Sequence, residues 1–341
     1  MPSFFSYILY AAGRHHKPMA QRWIFVVCLL LVANRSYAIT LPPVDSLSPD
    51  PLPPFSRIIV NSDSDNVTIP FTRAGNLILI KAKVDTTEGS FVLDTGAPGL
   101  VLNITYFRQY PANAATGEQG GITGSVSDVL QTTVQQLSFN GITYSNIDAD
   151  LINLGHIENV KGVRILGLLG MQLFERFEII IDYQHNLLHL RLISHKESPV
   201  YCSPQLTDTS AYSIIPVDII ANKIIAHVSI AGKKLLFVVD YGAETNVLDS
   251  RLPGKILDQV TVSRRVLLSG SGDTKVEALY GMLRDVTVGN QQVTSMPVLI
   301  TNLEKMCYAY NYCIDGMLGF DYLSLHKVGF NFVKHKMYIW K

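Results

Sequence analysis

A mostly β protein made of two copies of one unit is what the chain predicts, on three observations. Helical periodicity is scarce, and short apolar runs alternate with Gly, Asn and Pro turns. The apolar run Phe91-Val92-Leu93, leading into Asp94-Thr95-Gly96-Ala97, recurs as Phe237-Val238-Val239 before Asp240-Tyr241-Gly242-Ala243, an offset of 240 − 94 = 146 residues. The same offset relates Ile69-Pro70 to Ile215-Pro216, Asn76 to Asn222, Ile78 to Ile224 and Val101-Leu102 to Val247-Leu248. Strand composition alone does not produce a gapless match of that length, so an internal duplication is expected.

Bulk properties agree. A chain of 341 residues holds roughly two domains of ordinary size, and 48% hydrophobic residues supply ample core. With 28 basic and 28 acidic residues the formal net charge is 0. No long-range field then favours a nucleic acid or an anionic membrane as partner.

The N-terminus reads as an address label. Arg22 precedes the apolar run Trp23 to Ala33, and Ser36-Tyr37-Ala38 places small residues where a signal peptidase cuts. Residues 1–38 are therefore expected to be a signal peptide, with Met19 as the true start, and the mature protein is expected to be exported, periplasmic or secreted. The run is shorter than the roughly twenty residues a spanning helix needs. A membrane location is expected only if the leader stays uncleaved. Residues 39–64 contain Pro42, Pro43, Pro51, Pro53 and Pro54, which fix extended backbone and suggest a tether.

The first unit is expected over 65–196. Leu77 to Val84 is apolar apart mainly from Lys81 and Lys83, and Phe91 to Leu93 follows the turn-like Asp85 to Gly89. Gly117, Gly120, Gly121 and Gly124 suggest a mobile hairpin, a flap, and Asn140-Gly141 is a two-residue hairpin signal. The unit closes with Ile165-Leu166-Gly167-Leu168-Leu169-Gly170-Met171, a short helix over about 171–176, and a strand through Ile179-Ile180-Ile181. A Gly after two bulky residues suggests a buried strand end that another backbone approaches closely.

Residues 197–212, with Pro199 and Pro204, form the expected linker, and 213–341 the second unit. This unit closes with Asp315-Gly316-Met317-Leu318-Gly319-Phe320-Asp321-Tyr322-Leu323, a short helix near 321–326, and strands through Val328 to Phe332 and Met337 to Trp340. The offset has grown to 319 − 170 = 149. The loop between Cys307 and Cys313 is a reasonable place for the extra residues. In an oxidising compartment a disulfide would close that loop, the alternative being two reduced thiols close in sequence. Cys202 has no evident partner, and Cys28 lies in the leader.

An apolar strand ending in Asp94-Thr95-Gly96-Ala97, a glycine-bearing hairpin some twenty to thirty residues on, and Leu168-Leu169-Gly170 before a short helix resemble the retropepsin-like and pepsin-like aspartic proteases. Repetition of the set with Gly316-Met317-Leu318-Gly319 resembles above all the bacterial-type aspartyl proteases with two retropepsin-like units in one chain, over about residues 67–341. The resemblance implies two acid-protease β-barrel units related by a pseudo-twofold axis, each with a short helix near its end. It also implies an aspartic endopeptidase with Asp94 and Asp240 as the catalytic pair, one from each unit.

The chemistry needs both carboxylates in one site. Side by side they cannot both ionise, so one keeps a proton while the other stays charged. The charged member takes a proton from a water that attacks the peptide carbonyl, and the protonated member hydrogen-bonds the carbonyl oxygen. Gly96 and Gly242 are expected to let backbone N–H groups approach the carboxylates. No cofactor and no metal are expected, because the cysteines and the nine histidines lack ligand spacing. The substrate would be a peptide or protein segment held extended in the cleft, bound by a monomer.

One residue departs from the pattern. In the resembled family the residue after each Asp is Thr or Ser, whose hydroxyl crosses to the other unit's backbone and locks the two loops. Thr95 can do this; the longer phenol of Tyr241 must point elsewhere. The lock is then one-sided with activity kept, or the second loop is distorted, or Tyr241 shapes an altered site. A non-catalytic exported peptide-binding protein with a degenerate acid-protease fold is the alternative function. A third arrangement has only the first unit competent, with two chains paired through it. Ser269-Gly270-Ser271-Gly272 reads as a second hairpin tip over the cleft, and Asn66 and Asn103 read as surface polar residues.

Overall fold

The computed structural model describes residues 59–114, 120–122, 124–125, 129–220, 222–268, 275–310 and 312–341. The leader with Met19 and Cys28, most of the 39–64 tether, and Ser269 to Gly272 lie outside the described residues. The fold is mostly β, and the duplication is visible in strand order.

In the first unit six strands close into a ring. Ile142–Ile152 pairs with Leu100–Asn103, then Gly167–Leu169, Thr87–Leu93, Leu77–Val84 and Leu130–Phe139, which returns to Ile142–Ile152. In the second unit the same circuit runs Gln291–Thr301, Val247–Asp249, Gly316–Leu318, Lys233–Val239, Lys223–Ile230 and Val276–Val288, back to Gln291–Thr301. Closure removes the exposed strand edges that would otherwise invite aggregation. The two rings thus have the barrel-like form and common order expected of copies related by a pseudo-twofold axis.

Local chemistry accounts for the elements. In Leu77–Val84, Lys81 and Lys83 are exposed while Ala82 and Val84 are buried, the period of two that a half-buried strand requires. Asn140 and Gly141 have φ of 48° and 82°, the pair of left-handed residues that a type I′ turn needs, and Phe139 pairs with Ile142 across it. The short helices near the two unit ends are Met171–Phe174, a 3-10 turn, and Phe320–Leu323.

A six-stranded antiparallel sheet joins the units in the order Tyr212–Ile220, Lys336–Trp340, Val328–Asn331, Phe177–Asp182, Leu187–Leu192, Asn66–Pro70. Its centre is the seam between copies, where Ile179 pairs with Phe330 and Ile180 with Gly329. The largest buried cluster runs through both units, with Phe177, Tyr183, Tyr241 and Phe330 among its members. Burial of such residues at about 25 cal/mol per Å² holds the copies together as one body.

Three expectations need correction. Ile59–Ser62, inside the stretch read as tether, is a strand paired with Ile142 to Ser145; the prolines end at Pro54, and the β-branched residues after them pair with an open edge. Helices Gly155–Lys161 and Glu304–Tyr310 were not anticipated, because seven residues are too few to display a helical period. Asn103 is buried rather than on the surface: its Nδ2 donates to Ile165 O at 3.0 Å and its Oδ1 accepts from Leu154 N and Thr105 N. It organises the turn after its strand, a role that a short polar side chain performs by replacing backbone partners.

Cys307, within helix Glu304–Tyr310, forms a disulfide with Cys313 just beyond it, and Cys202 is free and exposed. Among the described residues no helix is long and apolar enough to cross a membrane.

Candidate active site

Asp94 follows the strand Thr87–Leu93, and Asp240 follows Lys233–Val239. Each strand lies parallel to a short strand of its own closing motif, Gly167–Leu169 and Gly316–Leu318. That pairing pins each aspartate: Asp94 N donates to Leu169 O at 3.0 Å and Asp240 N to Leu318 O at 2.9 Å. The closing glycines are there because backbone crowds them; a Cβ at Gly319 would come within 2.6 Å of Ala243 O.

The two turns meet face to face. Gly96 N donates to Asp94 Oδ1 at 2.8 Å and to Asp240 Oδ1 at 3.1 Å, so one amide serves both carboxylates. Ala97 N donates to Asp94 Oδ1 at 3.0 Å and Gly242 N to Asp240 Oδ1 at 2.7 Å. The carboxyl groups of Asp94 and Asp240 also act directly on each other's titration. Gly242 cannot be larger, since a Cβ there would sit 2.5 Å from Asp94 Cγ. All five residues singled out in the sequence, Asp94, Asp240, Thr95, Gly96 and Gly242, come together here.

Electrostatics follow from burial. Loss of water raises the Asp94 carboxyl above the usual carboxylate range, and its hydrogen bonds to Asp240, Ala97 and Gly96 oppose the rise. Asp240 is pushed up to about 8, first by burial and then by the neighbouring Asp94 charge. Burial and the neighbouring charge disfavour a pair that is doubly ionised.

Thr95 forms the lock from one side only. Its Oγ1 donates to Val239 O at 2.9 Å and accepts from Tyr241 N at 3.0 Å. The Tyr241 ring turns away from the carboxylates into the core, stacked on Tyr183 at 6.2 Å and edge-on to Phe330 at 6.0 Å between ring centroids. Asp240 keeps its amide contacts despite the phenol beside it. The geometry is that of the one-sided lock, with the second loop undistorted.

Thr95→Val tests the lock. Valine matches threonine in shape but leaves the buried Val239 carbonyl and Tyr241 amide without their partner, each costing about 1–3 kcal/mol. The expected result is a lower denaturant midpoint with an unchanged m-value; an unchanged midpoint would show that the lock contributes nothing.

This pairing of two Asp turns, each backed by a closing strand, has a counterpart in family comparison: the aspartyl protease sequence profile matches residues 80–173 and 226–322, more than half of the chain and both copies. The chain belongs to the aspartyl protease family. No curated protein matches it.

Other elements bridge the two halves of this aspartyl protease family member. The glycine-rich hairpin expected near 117–124 is a pair of two-residue strands, Gly120–Gly121 and Gly124–Ser125. Ile122 between them packs into a buried cluster with Leu303, Met306 and Ile314 of the second unit. The first unit's turn reaches the second active loop through Asn76 Nδ2, which donates to Glu244 O at 3.3 Å, and Lys161 forms an ion pair with Glu244. Of the histidines, exposed His185 pairs with the largely buried Asp182, and His227 pairs with Asp218 on exposed surface.

Sequence reading passed over Lys223. It is buried, and it acts electrostatically on Asp94 and Asp240 alike. The signal was available in the repeat: the 146-residue offset sets Lys223 against Leu77 (223 − 146 = 77), an ion where the other copy has an alkyl chain.

Proposed function

We propose that the protein is an aspartic endopeptidase in which the Asp94/Asp240 pair activates a water for attack on a peptide carbonyl. The observation that carries this reading is the single Gly96 amide that donates to both carboxylates and so draws them into one site. With one proton on the pair, the ionised oxygen deprotonates the water as it attacks, and the protonated carboxyl hydrogen-bonds the carbonyl oxygen as charge develops there. Collapse of the tetrahedral species returns a proton to the departing amine. No covalent intermediate is needed.

A peptide lying extended between the units would be covered by the hairpin carrying Ile122. One chain suffices, because it supplies both carboxylates. Residues 65–196 and 213–341 act as its two halves, with 197–212 as the connection. Export is part of the proposal, and the Cys307–Cys313 disulfide supports an oxidising compartment.

Hydrolysis of a mixed peptide library across acid to neutral pH tests the reading. A bell-shaped profile, inhibition by a statine-type transition-state mimic, and activity in the fraction that sediments as monomer are expected. Peptide affinity without turnover at any pH would replace the enzyme with the binding protein; activity confined to a dimer would favour pairing through the first unit.

A further inference from the structure

We propose that Lys223 is a positioning residue for the proton of the Asp94/Asp240 pair, a fixed cation on the second unit's side that keeps the pair singly ionised at lower pH than two buried carboxylates alone would allow. The proposal rests on the functional reading above and concerns the regulation of that same site.

Strand register places the side chain. In the second ring Ile225 pairs with Val238, and continuing that antiparallel register by two residues sets Lys223 opposite Asp240. In the first ring Leu79 pairs with Val92, and the same extension sets Leu77 opposite Asp94. Side chains alternate across a strand, so Lys223 shares a face with Ile225 and Val238 as Leu77 does with Leu79 and Val92. Those neighbours are buried in both copies, and Lys223 itself is only 4% exposed. The otherwise parallel catalytic turns thus differ here by one formal charge.

A buried ammonium is costly unless anions face it, and lysine is among the residues least often fully buried. Among the described residues, Asp94 and Asp240 are the anions that act on it. Both act on Lys223 to favour its charged form, against the desolvation that lowers its pKa, and Lys223 acts on both in return. Of the other charged groups on nearby elements among the described residues, Asp218 pairs with His227, Glu244 with Lys161 and Asp249 with Arg251, and Asp315 accepts from Leu236 N. Asp321 is held by Thr245 and the Asn246 amide. With one proton on the pair, the three groups sum to zero charge, a low-cost arrangement away from water. Removing the cation leaves a net negative buried site, so both titrations of the pair must move to higher pH.

Lys223→Leu is the direct test, because leucine stands at the same register position in the first unit, and Lys223→Arg is the conservative control. Two readouts are taken on the full chain: the pH–rate profile of peptide hydrolysis, and the titration of the aspartate carboxyl carbons by NMR. Both limbs of the bell and the carboxylate titrations are expected to rise by about one pH unit in Lys223→Leu, the lower end of what a nearby opposite charge imposes. Lys223→Arg is expected to restore both. If Lys223→Leu fails to fold, Lys223→Gln is read in its place with the same expectation.

A folded, uncharged variant whose carboxylates titrate as in the parent overturns the proposal. Loss of hydrolysis in the parent would overturn the protease reading, while the NMR titration would still decide the role of Lys223. A rate that drops with an unmoved profile would mark Lys223 as structural only.

Discussion

Asp94→Asn is expected to reduce peptide hydrolysis by roughly 10³-fold or more, since in the proposed mechanism the Asp94/Asp240 pair supplies the whole general acid–base component of the rate. The fold should persist. An asparagine Oδ1 can still accept from Gly96 N and Ala97 N, which hold the aspartate at 2.8 and 3.0 Å. What disappears is a second ionisable oxygen beside Asp240. The loss should appear in kcat at every pH, and a variant retaining a tenth of parental activity would sink the dyad mechanism.

The same substitution has a signed effect on stability. Both carboxyls are raised above their ordinary range by burial, so the folded state binds protons that the unfolded chain has released. The stability they contribute is fully present below the unfolded carboxylate range and is lost as pH rises through the folded values, up to about 8 for Asp240. The Tm of the parent should therefore fall between mildly acidic and slightly alkaline pH. In Asp94→Asn the fall should be shallower, because one raised group is gone and Asp240 loses its neighbour's charge. Equal slopes in parent and variant would contradict the assignment.

Tyr241→Thr is expected to destabilise the protein by about 3–5 kcal/mol, although it restores the residue type found at this position in the resembled family. Two effects compete. A threonine hydroxyl could reach the first loop and complete the lock, worth about 1 kcal/mol for a typical hydrogen bond. Against this, removing a ring that is 1% exposed and packed on Tyr183 and Phe330 opens a cavity in the core shared by the units. The cavity wins. Tyr241→Phe makes the contrast: the phenol oxygen has no hydrogen-bond partner among the described residues, so its removal should be neutral or raise stability by up to about 1 kcal/mol. A Tyr241→Thr variant as stable as the parent would mean that the ring is not part of the core. Both variants are read by denaturant unfolding, and activity should follow the folded fraction, since the Tyr241 side chain points away from the carboxylates.

The site's framework was legible because it depends on local patterns that the duplication wrote twice. The Asp-Thr-Gly and Asp-Tyr-Gly turns, the apolar-apolar-Gly closures and the Asn140-Gly141 hairpin each use a few consecutive residues with a backbone requirement of their own. The strand Ile59–Ser62 escaped notice because its partner, Ile142 to Ser145, lies some eighty residues on. Helix Glu304–Tyr310 escaped because it is too short to show a period.

Sequence alone determined two homologous β units with one aspartate turn apiece, since register and turn chemistry repeat at a fixed offset; that the turns face each other was what the family resemblance implied. Tertiary structure alone decided what surrounds the pair: which way the Tyr241 ring turns, that Thr95 locks both loops by itself, and that the charge of Lys223 is buried where it acts on both carboxylates. These are matters of packing between residues more than a hundred positions apart, or of two strand ends brought side by side. Burial and charge act through space, and a linear chain does not display them until it has folded.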